Sequence, residues 1–304
     1  MSDGTPGQQA LPGGSPQAPS QLLRYTKLFS SLVKFEHTIF ALPFAYVGAF
    51  LAVDGVPGAA DLVWITVAMV GARSFAMALN RLIDAGIDAR NPRTASRELP
   101  RGALLPWQVV VFALVSLAIF LVAVYQLAPI VGVLWPIPVA GFVIYPYLKR
   151  VTWLCHLWLG ACLGLAPVGA WVAITGELPW EAWALGGAVC LWVAGFDLFY
   201  ALFDLDHDRA SGLHSWATRF GVRGTFRGAR AMHAGSVALL AAAGAGLEVG
   251  AWYWLGVTVV AALLLYEHLI VRPDDLRRLD AAFFTVNGVL SIAFCVFVAL
   301  DSLL

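Results

Sequence analysis

Residues 61–101 read DLVWITVAMVGARSFAMALNRLIDAGIDARNPRTASRELPR. From Leu62 to Leu79 the only charged residue is Arg73, and an apolar run of this length crosses the hydrocarbon core of a bilayer as one helix. The run ends in Asn80, Asp84 and Asp88, each four residues from the next. Helical residues four apart share a face, so these three polar groups form a stripe at the mouth of a membrane helix. Arg73 precedes them by 7, 11 and 15 residues, which puts it in the same sector. Behind the stripe comes a loop crowded with arginine: Arg90, Arg93, Arg97 and Arg101.

The stripe occurs twice. Tyr200, Asp204 and Asp208 repeat the spacing at the end of another apolar run, with Asp197 about one turn deeper. If the helix continues, Asp197, Asp204 and Asp208 share one sector with Tyr200 beside them. Asp206 and His207 fall off that spacing, and His207 reads as a surface residue.

Outward from these stripes, the chain is 304 residues long, 60% hydrophobic and 12% charged, against about 45–50% and 25% for a soluble domain. The composition predicts an all-α, polytopic membrane bundle. Nine apolar runs are long enough to span: 36–53, 61–80, 107–125, 128–146, 153–175, 182–200, 231–247, 250–271 and 280–301. Net charge is zero, so nothing in the overall balance points to nucleic acid. Its distribution is one-sided. Arg24, Lys27 and Lys34 precede the first run. Lys149 and Arg150 lie between the fourth and fifth, and Arg209, Arg219, Arg223, Arg227 and Arg230 between the sixth and seventh. Arg272, Arg277 and Arg278 lie between the eighth and ninth. The alternate loops hold Asp54, Asp61, Glu177, Glu181 and Glu248 with no Lys or Arg. Basic loops stay in the cytoplasm. The pattern predicts nine crossings in an inner (plasma) membrane, a cytoplasmic N-terminus and an outside C-terminus, with both stripes at the cytoplasmic rim. Residues 1–20, rich in Gly, Pro, Gln and Ser, read as a disordered tail before a single domain over 21–304.

Acidic groups at a membrane rim suit a divalent cation. Mg²⁺ takes oxygen ligands, usually one or two carboxylates plus substrate phosphates. No Cys lies near the stripes, and His is scarce there, which argues against zinc. The arginine loop, with Arg209, His214, Ser215 and Arg219 after the second stripe, offers donors for phosphate. No G-x-x-x-x-G-K-[ST] is present, so the phosphate is not held by a nucleotide P-loop. A charge at a helix centre costs about 2.5–3.5 kcal/mol on insertion scales, so Arg73 and Asp197 are expected to face a polar cavity or each other.

The segment Asn80–Gly102, NRLIDAGIDARNPRTASRELPRG, resembles the first signature of the UbiA-type intramembrane prenyltransferases. Asp197–Gly221, DLFYALFDLDHDRASGLHSWATRFG, resembles the second, and Tyr145 with Lys149 in YPYLKR resembles a Y-x-x-x-K element. KFEHTIFALPFA at Lys34–Ala45 resembles the first helix of the family, and the likeness runs from about residue 24 to the end. It implies nine helices around a central cavity open to lipid. It also implies Mg²⁺ held by Asp84, Asp88, Asp204 and Asp208 on a polyprenyl diphosphate, with Asn80 completing the first cluster. Arg81, which stands where some members carry an acid, and Lys149 would hold the diphosphate. Tyr145 would lie near the allylic cation, and the ring of an aromatic acid would attack it.

Among substrate contacts, Arg73 is a candidate for the acceptor carboxylate or an ion pair. Asp197 is a candidate for orienting the site or for a structural pairing, Tyr200 for flanking the metal stripe, and His156 for the acceptor pocket or interfacial packing. Lys149–Gly176 resembles the branch of quinone biosynthesis acting on 4-hydroxybenzoate or 1,4-dihydroxy-6-naphthoate, with the resemblance leaning to the latter. These place the chain in ubiquinone or menaquinone biosynthesis. The competing class is a transporter of an anionic or lipid-linked substrate, which would need its polar groups near the midplane rather than on one side.

Overall fold

The computed structural model describes residues 21–33, 38–53, 55–272 and 285–304. The expected tail over 1–20 lies outside these residues, as do Lys34, Asp54, Arg277 and Arg278. Among the described residues the chain is all-helical, with no β-strand. In order the helices are α1 (Gln21–Val33), α2 (Thr38–Val53), α3 (Ala59–Asp88), α4 (Pro106–Val124), α5 (Val131–Leu134) and α6 (Pro136–Leu148). There follow α7 (Cys155–Thr175), α8 (Trp180–Tyr200), α9 (Leu205–Ala210), α10 (Trp216–Gly246), α11 (Ala251–Ile270) and α12 (Asn287–Leu303).

Six helical segments among the described residues are long and apolar enough to cross a membrane: α3, α4, α5 with α6, α7, α8 with its extension to Ala210, and α11. Ala41–Val53 of α2 and α12 are apolar but shorter. The remaining expected span, 231–247, is the C-terminal half of α10, which begins in a basic stretch and breaks at Gly221 (φ +66°). The expected run 128–146 is divided where Pro136 and Pro138 start α6. Proline removes a backbone donor, so it belongs at a helix start.

The sequence sets most helix ends by ordinary chemistry. Pro106 is the first residue of α4. Gly176 ends α7 in the left-handed region (φ +74°), where a side chain would be strained. Ser215 caps α10: its Oγ accepts from Thr218 N at 3.1 Å, and its own N–H donates to Thr218 Oγ1 at 2.8 Å.

In the bundle α8 packs between α7 and α10, α7 packs on α2, and α3 packs on α4 and α6. The α7–α8 contact is close because it is made of glycine. A methyl added at Gly160 would overlap the carbonyl oxygen of Cys190, and one at Gly164 would overlap that of Gly186. Small residues allow this approach between membrane helices, where lipid supplies no hydrophobic drive for association. An apolar core of Phe44, Trp192, Phe196, Tyr253, Leu290 and Phe294 joins α2, α8, α11 and α12. One polar chain crosses it: Trp192 Nε1 donates to Asn287 Oδ1 at 2.7 Å, and Asn287 Nδ2 donates to the buried Glu267 at 3.2 Å. Buried polar groups need such partners.

One expectation about the second stripe is corrected. The α-helix stops at Tyr200, Ala201–Asp204 forms a 3-10 turn, and α9 restarts at Leu205. A 3-10 turn takes three residues rather than 3.6, so Asp197, Asp204 and Asp208 do not lie on one unbroken helical stripe.

Candidate active site at one end of the bundle

The C-terminal ends of α3, α6 and α8 and the start of α7 meet at one end of the molecule, beside the 89–105 loop, α9 and the loop before α10. They surround a cavity of about 660 Å³. Its walls are largely apolar, with Ile65, Ala68, Phe120, Leu163 and Phe196 among them. Twelve residues singled out from the sequence line it: Arg73, Asn80, Arg81, Asp84, Asp88, Tyr145, Lys149, His156, Asp197, Tyr200, Asp204 and Asp208. The two acidic groups therefore face a common space. His207, read as a surface residue, also lines it, while Asp206 is exposed and does not.

The carboxylates are held by cations. Asp84 is 2% exposed and accepts from Lys149 Nζ at 2.6 Å, Arg150 Nη2 at 3.3 Å and Asn80 Nδ2 at 3.4 Å. Asp88 is 4% exposed and accepts from Arg97 Nη1 at 2.7 Å on both oxygens. Asp204 accepts from Asn91 Nδ2 and Arg93 Nε, each at 2.8 Å, and pairs with Arg93 Nη2 as well. Arg93 Nη1 also donates to the Tyr200 hydroxyl at 2.7 Å, and its guanidinium stands 5.0 Å from the centre of that ring. Burial alone would pull Arg93 down, but Asp204 and Tyr200 outweigh it and raise its pKa above the ordinary arginine value. Such pairing is what buried carboxylates require, because an unpaired buried charge costs several kcal/mol. Asp208 is half-buried, and its carboxylate makes no hydrogen bond or ion pair among the described residues, although its backbone carbonyl accepts from Leu213 N at 2.9 Å.

Asn91 and Arg150 are not singled out from the sequence, and Arg93 and Arg97 only as members of the arginine loop. Their loop is irregular, and its shape comes from local bonds: Asn91 Oδ1 accepts from Arg93 N at 2.9 Å, and Thr94 Oγ1 donates to Asp88 O at 3.1 Å. The basic loop signalled guanidinium groups near the site, yet no periodicity told which would turn inward. Conversely Arg209 and Arg219 do not line the cavity. Arg219 lies over the Trp153 ring at 5.3 Å, a cation–π contact. Arg81 Nε donates to Leu32 O at 3.3 Å, so it also ties α1 to α3. Lys149 is steadied from behind by His214 N donating to its carbonyl at 2.7 Å.

Among the described residues no three His, Cys, Asp or Glu side chains come together as a ready-made metal cage. The donor chemistry still suits a hard cation, being four carboxylates and Asn80 in the lining of one cavity. Mg²⁺ rarely uses an all-protein cage and completes its shell with phosphate oxygens and water. The residues fit a metal that arrives with a phosphorylated ligand.

Residues 41–289 match the profile of the UbiA prenyltransferase family. The chain belongs to that family. Membership makes it a multi-pass membrane enzyme, a prenyltransferase, and the matched range contains every cavity residue named above. The 4-hydroxybenzoate octaprenyltransferase of Ralstonia nicotianae is 30% identical over 84% of this chain and 85% of its own length. That of Marinobacter nauticus is 31% identical over 88% and 89%. The apo structure of a UbiA homolog from Aeropyrum pernix K1 superposes with a TM-score of 0.76 at 33% identity, covering 88% of this chain and 96% of that one. A UbiA homolog from Archaeoglobus fulgidus bound to GPP and Mg²⁺ has a TM-score of 0.69 at 17% identity, covering 90% and 99%, a likeness of fold.

Proposed function

We propose that this protein transfers a polyprenyl group from a polyprenyl diphosphate to the ring of an aromatic acid of the 4-hydroxybenzoate type, with Mg²⁺. The carrying observation is that two acidic groups from separate elements share one mostly apolar cavity with Lys149, Arg93 and Arg97. The relatives reported above are named for 4-hydroxybenzoate, so that acceptor is proposed ahead of a dihydroxynaphthoate. The reaction belongs to ubiquinone or menaquinone biosynthesis. We further place the site at the cytoplasmic rim of an inner membrane, with nine crossings, the N-terminus inside and the C-terminus outside. Supporting this are the one-sided Lys and Arg, and the apolar character of α2, α12 and the second half of α10.

Asp84, Asp88, Asp204 and Asp208 would hold the metal, with Asn80 beside Asp84. Held there, Mg²⁺ would supply positive charge to offset that developing on the departing diphosphate. Lys149, Arg93 and Arg97, now paired with those same carboxylates, can turn to the phosphate oxygens when the metal takes their place. Arg81 borders the same end. Tyr145 presents an electron-rich ring where an allylic cation would form, and the apolar walls keep water from quenching it. Arg73, deeper in the cavity, offers a guanidinium to the acceptor's carboxylate.

The test is an assay of purified full-length protein with a polyprenyl diphosphate and either 4-hydroxybenzoate or 1,4-dihydroxy-6-naphthoate. Prenylated product should form with Mg²⁺, vanish with a chelator and return when Mg²⁺ is restored. Absence of product with both acceptors from folded protein would sink the proposal. Product with the naphthoate alone would move the acceptor and leave the chemistry standing. In the same assay Arg93→Gln should raise KM for the diphosphate about tenfold or more, because a hydrogen bond to a charged group is worth about 1.5–3 kcal/mol. An unchanged KM would reduce Arg93 to a clamp on Asp204.

A further inference from the structure

One pair in the cavity is not used by this chemistry. His156 opens α7, and Asp197 lies in the last turn of α8. Nδ1 of the imidazole is 2.7 Å from Oδ2 of the carboxylate. His156 is 6% exposed, and its Nε2 has no hydrogen-bond partner. Both residues line the cavity, as do Tyr145, Lys149 and Asp84. A carboxylate accepts hydrogen bonds, so in the neutral imidazole the single proton belongs on Nδ1 and the lone pair on Nε2. His233 and His268 also leave one ring nitrogen without a partner, but neither of them lines the cavity. In its neutral form His156 would be fixed by Asp197 at Nδ1, leaving Nε2 as a proton acceptor in the wall of the cavity.

From this arrangement we infer that His156 accepts the phenolic proton of the aromatic substrate, and that Asp197 is the residue positioning it. The inference rests on the prenyl transfer proposed above. The ring carbon beside the hydroxyl bonds to C1 of the prenyl group. The C1–O bond to the diphosphate breaks, and its electron pair leaves on the diphosphate oxygen. As the ring attacks, the hydroxyl proton passes to Nε2 and the O–H electron pair becomes the C=O of a neutral dienone. The imidazolium so formed faces the carboxylate of Asp197. The proton on the newly bonded ring carbon is then lost to the departed diphosphate, the oxygen recovers its proton from Nε2, and aromaticity returns with His156 neutral. Excluding water from the chamber makes a built-in acceptor necessary, since no solvent base stands beside the ring.

The test compares 4-hydroxybenzoate with 3-fluoro-4-hydroxybenzoate, whose hydroxyl is more acidic and which keeps one open ring position beside it. His156→Gln should lower kcat with 4-hydroxybenzoate about 100-fold or more, in the range of general-base catalysis, and leave KM for the polyprenyl diphosphate unchanged. The loss should shrink with the fluorinated acceptor, which needs less help to give up its proton. Asp197→Asn should show the same dependence on acceptor acidity. Full activity of His156→Gln, or equal losses with both acceptors, overturns the assignment. Should both variants misfold, single turnovers of the wild type in D₂O decide: slower turnover supports proton transfer in the step, and identical rates overturn it. A wild type silent toward every acceptor overturns the transfer reaction itself. An active wild type with an unaffected His156→Gln overturns only the role of His156.

Discussion

Asp84→Asn should cut turnover by about 100- to 1,000-fold, the loss seen when one preorganised group opposite developing charge is removed. Asp84 is the most enclosed carboxylate of the site at 2% exposed, and it gathers Lys149, Arg150 and Asn80 around one side chain. Asparagine keeps the shape and one carbonyl oxygen but loses the charge that a metal and a lysine both need. Asp204→Asn should do the same from the opposite wall, where Asn91 and Arg93 converge. The double variant should be little worse than either single one, because groups that act as a unit are not additive. Thermal unfolding separates this from a folding defect: Lys149 and Arg150 are 31% and 38% exposed at the side chain and can turn to solvent. Wild-type turnover in Asp84→Asn would remove the acid from the reaction altogether.

Gly164→Leu should be the most damaging change far from the chemistry. Even a methyl at this position would overlap the carbonyl of Gly186, and a backbone oxygen cannot swing aside as a side chain can. Overpacking usually costs about 1–3 kcal/mol, and here the leucine has only the α7–α8 contact to push apart. Those two helices carry His156 on one side and Asp197 on the other, so a displacement of either should abolish activity together with stability. Gly169→Ala is the control within the same helix. A methyl there meets nothing within 4 Å, and alanine favours a helix by about 0.8–1.0 kcal/mol over glycine. Equal unfolding temperatures for wild type and Gly164→Leu would show that the close approach is dispensable.

These two residues also mark what the sequence could and could not say. The first stripe was legible because α3 runs unbroken to Asp88, and a 3.6-residue period maps spacing directly onto a face. The second was legible only in composition. ALFDLDHD contains no Gly or Pro to announce the 3-10 turn that shifts Asp204 and Asp208. The cationic partners were hidden for another reason. Arg93 meets Asp204 across 111 positions and Lys149 meets Asp84 across 65, and pairing at that range is decided by packing. The close approach at Gly164 was likewise silent, since one glycine in an apolar run looks like any other until its neighbour is known. Long apolar runs and one-sided charge gave the membrane class, while the short or interrupted helices α2, α10 and α12 blur the count.

The ion pairs across the cavity carry a consequence for traffic. Lys149, Arg150, Arg97 and Arg93 face Asp84, Asp88 and Asp204, with Asp208 as the fourth acid. Arg73 and Arg81 against Asp197 complete the lining, which Arg150 does not join, so five cationic and five acidic side chains leave the chamber close to balance. A divalent ion entering alone would tip it positive and must evict a guanidinium or an ammonium to gain a foothold. An anion entering alone would tip it negative against buried acids. Arriving together, the two nearly cancel, and each frees the residues the other wants. In the reading proposed here, the chamber then works as an AND gate does, favouring the metal and the diphosphate together over either one alone.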